Sequence, residues 1–225
     1  MRRYLIAFSV FTAALSLTTA AARQQDATAE ELKQAEADVP RLAGVLGLEP
    51  GMTVADVGAG GGAMTLVMAH WLGPAGRVYS TDITEAAVRA VREQAVRAHL
   101  DTVVTLVGTQ TATNLPNACC DAIWLRNVYH HLTDPADEDR SLFDSLKPGG
   151  RLAVIDFEPQ PGSKPPPDVP ADRTGHGILS AIVERELSAT GFTVVRTIPH
   201  WPPPPDKSDF GFLVLVRKPD SKEAR

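Results

Sequence analysis

Val54-Ala55-Asp56-Val57-Gly58-Ala59-Gly60-Gly61-Gly62-Ala63-Met64-Thr65 decides how the rest of the chain is read. Small and apolar residues surround an aspartate, a glycine cluster follows, and helix-compatible residues then run over 63–72. This order predicts a buried parallel strand, a tight turn and a helix start whose backbone N–H groups lie open to a ligand. Gly58, Gly60 and Gly62 can adopt positive φ and let a ligand approach the main chain closely. Asp56 puts a carboxylate at the carboxyl end of the strand, where it would repel a phosphate and attract a cation. The pattern therefore points to a nucleoside-type cofactor carrying positive charge. Gly58-x-Gly60-x-x-Ala63 also fits the dinucleotide-binding form, with Asp82 placed 20 residues beyond Gly62 for a ribose. On the glycines alone, both readings stand.

The 225 residues suit one domain with a single substantial core. Hydrophobic residues at 44% and charged residues at 22% are ordinary for a soluble globular chain. A net charge of -5 offers no general attraction to nucleic acid or an anionic membrane, so neither is expected as a partner. The six histidines and two cysteines show no metal-ligand spacing, and no metal is expected. Cys119 and Cys120 are adjacent, and a bridge between neighbours is strained; they read as small apolar residues entering a strand.

Residues 1–22 read as a signal peptide: Arg2 and Arg3, an uncharged run over 4–17, then small residues of A-x-A type before Arg23. Arg2-Arg3-Tyr4-Leu5-Ile6 resembles a twin-arginine signal. The apolar run is shorter than the roughly 20 residues of a membrane-spanning helix. The expectation is an exported protein, membrane-anchored if the segment is not cleaved. Residues 23–37 read as a lead-in helix with Thr28-Ala29-Glu30-Glu31 as its start, 38–217 as the main domain and 218–225 as a polar tail.

Within that domain a second short helix is expected over 39–48, then strand and helix patterns alternate. Strands are predicted over 52–57, 77–82, 103–107, 121–127 and 151–157, with helices over 63–72, 84–100, 137–146 and 178–190. Two further strands, 194–198 and 210–216, are joined without a helix and must run antiparallel. The fold class is thus α/β: a Rossmann-like, seven-stranded, mostly parallel sheet with helices on both faces and an antiparallel C-terminal hairpin strand. Ligands bind such sheets at the carboxyl ends of the strands. Asp56, Asp82, Gln110 and Asn127 all fall on that edge.

At these positions the chain resembles the class I S-adenosylmethionine-dependent methyltransferases, over about residues 38–217. Val54 to Gly62 is similar to their D/E-x-G-x-G-x-G motif, and Tyr79-Ser80-Thr81-Asp82-Ile83 to their ribose-binding segment. Asp121 to Leu132 resembles their fourth-strand segment, and Leu146-Lys147-Pro148-Gly149-Gly150-Arg151-Leu152 their "LKPGG" turn. The terminal antiparallel hairpin belongs to the same fold and decides against the dinucleotide reading. The resemblance implies S-adenosyl-L-methionine as cofactor. It assigns Asp56 to the cofactor's ammonium end and Gly58, Ala59, Gly60 and Gly62 to the wall beneath it. Asp82 would accept both ribose hydroxyls, Ile83 would pack on adenine, and backbone near Asn127 would face the methionine portion. Relatives often carry an acid after the third strand for the adenine amino group; here the sequence is Gly108-Thr109-Gln110-Thr111, and Gln110 takes that place.

Attack on a sulfonium methyl needs a nucleophile held in line, with proximity and desolvation supplying most of the acceleration. His130 and His131 are the candidate catalytic residues, since imidazole has the right pKa to remove a proton near neutrality. Each is weighed against a plain structural role at the strand end. Glu158 reads as a solvated loop acid and His176 as a helix cap or solvent-facing side chain. The Pro-rich connection over 159–177 reads either as a semi-rigid flap that sets acceptor specificity or as a neutral insertion. A small molecule is the expected acceptor, because no added domain or basic patch serves a macromolecule. The second reading is a non-catalytic nucleoside or small-ligand binding module on the same fold. The export signal and the missing acid favour that module; the intact Asp56, glycine and Asp82 set favours the enzyme.

Overall fold

The computed structural model describes residues 26–202 and 211–220. The expected signal peptide lies outside the described residues. No helix among those described is long and apolar enough to cross a membrane.

The chain opens with helix α1 (Ala29–Leu46), capped by Thr28 in a capping box with Glu31. It is one helix where the sequence suggests two. Pro40 lies inside it on the exposed face, while Ala35, Val39, Leu42, Ala43 and Leu46 form one buried stripe. A proline on the outer face removes one backbone hydrogen bond without disturbing the stripe, so packing carries the helix through it.

Six further elements follow as expected: β1 (Thr53–Val57), α2 (Ala63–Leu72), β2 (Arg77–Asp82), α3 (Glu85–Arg97), β3 (Val103–Val107) and β4 (Cys120–Arg126). A short 3₁₀ turn, Tyr129–His131, then leads to α4 (Pro135–Ser145), β5 (Leu146–Phe157), α5 (Ser180–Thr190), β6 (Thr193–Pro199) and β7 (Gly211–Arg217). The sheet has seven strands in the order β3-β2-β1-β4-β5-β7-β6. All pairs are parallel except β5 with β7 and β6 with β7.

Alternation along the strands divides the core into two layers. Val54, Ala122, Trp124 and Leu213 face α1 and α2, packing with Leu42, Met68 and Leu72. Ala55, Ile123, Leu125 and Val214 face the other way, onto Leu142 of α4 and Leu187 of α5. The strand order reverses between β1 and β4, which opens a crevice at their carboxyl ends.

Cys119 and Cys120 are joined in a disulfide, so no cysteine among the described residues is free. This corrects the reading of two apolar strand residues. Cys119 precedes β4 and follows Ala118 at positive φ, so it is not bound by the alternation that would part neighbouring strand side chains.

Candidate active site

Two clefts meet at Gly58. The first, about 350 Å³, is lined by Asp56, Ala59, Gly60, Gly62, Arg126 and Asn127, with Glu31 and Gln34 of α1 over it. The second, about 330 Å³, is lined by Asp82, Ile83, Gln110, Val128, His131 and Glu138. All the sequence-predicted cofactor residues therefore lie on one edge of the sheet. His130 sits behind His131, buried, and Glu158 is exposed and lines neither cleft.

Asp56, the penultimate residue of β1, is buried beside the glycine loop. Its Oδ2 accepts a hydrogen bond from Thr65 Oγ1 at 2.7 Å, in the first turn of α2. Burial pushes its pKa up to about 7, against the opposing pull of the Thr65 bond and the Arg126 guanidinium. Asp82, at the tip of β2, is half-buried. It accepts from Gly60 N at 3.1 Å and from Thr84 N and Oγ1 at 3.0 Å each, so it ties the glycine loop to the start of α3.

The loop itself differs from expectation. Gly58 N and Ala59 N both donate to Thr81 O, at 2.8 and 3.0 Å, and Gly62 N donates to Ala59 O at 2.9 Å. With Gly60 N on Asp82, these four amides are already used within the fold. The loop is a close wall for a ligand, not a set of open donors. Its conformation is as the glycines imply: Gly58, Gly60 and Gly62 have φ of 75°, 53° and 84°. A Cβ on Gly58 would lie 2.4 Å from Val128, whereas one on Gly60 would meet nothing within 4 Å and would project into open space.

Ile83, an apolar side chain 56% exposed, stands at the lip of the second cleft. Gln110 is exposed and its Oε1 accepts from Thr133 Oγ1 at 3.3 Å across the cleft. Asn127 takes positive φ (55°), and its N–H donates to Ile155 O at 2.8 Å.

Several residues of the site were not found from the sequence. Arg126 pairs with Asp38 of α1 at 3.2 Å, and Gln34 donates to the same carboxylate at 3.1 Å, closing the first cleft. Gln94 of α3 donates to Gly61 O at 2.9 Å and accepts from Ala27 N at 3.0 Å. Glu138 is buried in the wall of the second cleft with Oε2 unpartnered, and burial raises its pKa to about 7. The Arg126–Asp38 pair and the Gln94 contacts leave no local signal, because each joins segments far apart in the chain.

His176 is the clearest departure. It neither caps α5 nor lies free in solvent: its Nε2 is 3.3 Å from His130 Nε2. Ring nitrogens of His130, His131 and His176 all lie within 4.8 Å of one another. His130 Nδ1 is 2.8 Å from Asp156 Oδ1, and Asp156 Oδ2 accepts the His130 backbone N–H at 3.1 Å. Burial, with the neighbouring His130 and His176 rings, holds the His131 pKa below its ordinary value. The flap over 159–177 has no helix or strand but is anchored. Arg173, fully buried, makes a two-point pair with Glu186 of α5 at 3.0 Å each, and Ser163 Oγ accepts from His176 N at 2.8 Å.

Residues 55–154 match the model of the methyltransferase domain family. The chain is 31% identical over 124 residues to the ubiquinone/menaquinone biosynthesis C-methyltransferase UbiE of Shewanella sediminis, covering 55% of this chain and 47% of that protein. It is 31% identical over 170 residues to the 27-O-demethylrifamycin SV methyltransferase of Amycolatopsis mediterranei, covering 73% and 60%. The chain thus spans about half the length of the first and three-fifths of the second. Its fold is similar to a SAM-dependent methyltransferase from Aquifex aeolicus, with a TM-score of 0.65 over 84% of this chain and 97% of that one, at 24% identity. The family implies S-adenosyl-L-methionine as cofactor, and the site fits it. A buried acid underlies a cradle that a Cβ at Gly60 would enter, a second acid marks the tip of β2, and an apolar side chain stands exposed beside it. Residues 55–154 thus match the methyltransferase domain family, on a fold similar to that of an S-adenosylmethionine-dependent methyltransferase.

Proposed function

We propose that the protein is an S-adenosylmethionine-dependent methyltransferase that acts on a small-molecule acceptor by in-line methyl transfer. The observation that carries this reading is the junction at Gly58, where a charged cleft and one rimmed by apolar side chains meet end to end. When bound, the cofactor supplies an electrophilic methyl on a positively charged sulfur. Asp56 would hold its ammonium and Arg126 its carboxylate, the backbone at Asn127 would flank the methionine portion, and Asp82 would hold the ribose hydroxyls. Ile83 would cover adenine, and the Gln110 amide oxygen would accept its amino group. His131, unprotonated at neutral pH and facing the second cleft, with His130 behind it, would activate the acceptor on the far side of the methyl.

The two relatives are named for quinone biosynthesis and for a rifamycin, and a small organic acceptor is the class they have in common. Export by the N-terminal segment remains part of the proposal; N-terminal sequencing of secreted protein should begin at Arg23, and an intact Met1 there refutes cleavage. The function is tested by calorimetry with S-adenosylmethionine and S-adenosylhomocysteine. Both should bind, and Asp82→Ala should weaken binding by about 1–3 kcal/mol, the range for buried polar partners left unmatched. No binding of either ligand at millimolar concentration would favour the non-catalytic module, to which Gln110 in place of the acid after β3 lends support.

A further inference from the structure

We propose that His130, His131 and His176 form a binding site for a divalent transition-metal ion of the zinc type, with an open position facing the acceptor side of the second cleft.

Separation comes first. A tetrahedral zinc ion with Zn–N bonds of about 2.0–2.1 Å holds its ligand nitrogens about 3.3–3.4 Å apart. The His130 and His176 Nε2 atoms are 3.3 Å apart. His131 offers a ring nitrogen within 4.8 Å of both, on an exposed side chain that closes the difference by rotating about its χ angles.

Orientation comes second. The Asp156 carboxylate accepts the Nδ1 proton of His130 at 2.8 Å, which fixes the tautomer and leaves the Nε2 lone pair aimed at His176. A carboxylate behind a ligating histidine is the arrangement that orients such ligands and raises their basicity. Asp156 is itself positioned on β5 with no exposure, and its other oxygen is fixed by the His130 backbone N–H. This buried carboxylate also offsets part of the ion's charge. Phe157 packs edge-on against His130 and His176, with ring centroids 4.8 and 5.3 Å away, and gives the site an apolar flank.

Ligand type comes third. Three imidazoles suit zinc, copper or nickel, whereas magnesium and calcium prefer oxygen donors. Three protein ligands leave a fourth position for water or substrate, as in catalytic zinc sites. Because His131 lines the second cleft, that position opens into it.

The consequence for the acceptor rests on the methyltransferase reading; the metal site does not. An acceptor hydroxyl or thiol would coordinate the open position and lose its proton to solvent. Its lone pair would then form the bond to the methyl carbon as the carbon–sulfur bond of the sulfonium breaks, the bonding pair staying on the departing sulfur. The histidines would thus act by holding the ion, and the substrate class narrows to hydroxyl- or thiol-bearing small molecules.

The test uses the full chain, stripped with a chelator and titrated with cobalt(II), with zinc as competitor. One cobalt per chain should bind with the intense visible bands of tetrahedral coordination, and zinc should abolish them. Asp156→Asn, which acts through His130, should weaken binding by about 10–100-fold. His131→Ala and His176→Ala should weaken it further, while His70→Ala, remote on α2, should leave it unchanged. His131 and His176 are exposed, so their replacement should leave the melting temperature unaltered. Absence of the tetrahedral bands, or wild-type binding no tighter than that of His176→Ala, overturns the site. Calorimetry of the metal-free protein with S-adenosylmethionine keeps the two proposals apart. Cofactor binding without cobalt binding sinks only the metal site, and the reverse sinks only the methyltransferase reading.

Discussion

Burial would leave the Asp56 carboxyl about half protonated at neutral pH, since its pKa lies near 7 in the free protein. Thr65 and Arg126 favour the charged form, and neighbouring Asp82 opposes it. A cofactor ammonium placed beside Asp56 would stabilise the carboxylate and lower that pKa. Binding below pH 7 should therefore release a proton, and affinity should rise as pH increases towards about 7, then level off. Calorimetry at pH 6.5 in two buffers of different ionisation enthalpy reads the proton directly. Asp56→Asn should abolish the release; a wild-type enthalpy independent of buffer would place the cofactor's charge elsewhere. Asp56 was legible in the sequence because it stands two residues before a glycine cluster. His176 was not: 46 residues separate it from His130, and only the course of the flap brings the two rings together.

Helix α4 shows what a local pattern conveys and what it omits. The helix was legible from residue 137 on, two residues after its observed start at Pro135 with Asp134 as cap. That Glu138 and Asp139 turn inward was not, since acids near a helix N-terminus usually face water. Burial raises both to about 7; Asp139 receives the Tyr129 hydroxyl at 2.8 Å, and Glu138 Oε2 has no partner. A carboxyl with a raised pKa stays protonated in the fold while it ionises in the unfolded chain. Between about pH 4 and pH 7 the native state thus holds more protons than the unfolded one, and stability falls as pH rises through that window. Asp56 acts in the same direction. The ligand-free protein should melt highest in mild acid and reach a plateau above pH 7. Glu138→Gln, isosteric and unable to ionise, should match the wild type at pH 4 and melt above it at pH 8. Equal melting temperatures at pH 8 would show that Glu138 is ionised and compensated in the fold.

The antiparallel hairpin was legible because its two strands follow each other with no helix between them. Where the domain begins was not. A boundary at residue 38 follows from reading two helices, over 23–37 and 39–48, yet α1 runs unbroken from Ala29 to Leu46. Its N-terminal half supplies Glu31 and Gln34 to the first cleft, and buried Asp38 is the partner of Arg126 at the end of β4. Ala35 is buried in the same core layer as Met68 and Leu72 of α2. Upstream, Ala27 N reaches Gln94 and Asp26 pairs with Arg97 at 2.6 Å, so the glycine loop, α3 and the entry to α1 are tied at one point. A chain begun at Asp26 keeps every one of these contacts and should melt and bind cofactor as the full chain does. A chain begun at Val39 loses the cap, Ala35 of the buried stripe and Asp38, the partner of Arg126. Leaving Arg126 half-buried without its carboxylate and removing Ala35 from the layer shared with α2 should lower the melting temperature and abolish cofactor binding together. Thermal melts of the two truncations decide the matter: if the shorter chain melts with the longer one, α1 is an appendage and the site is built from the sheet alone.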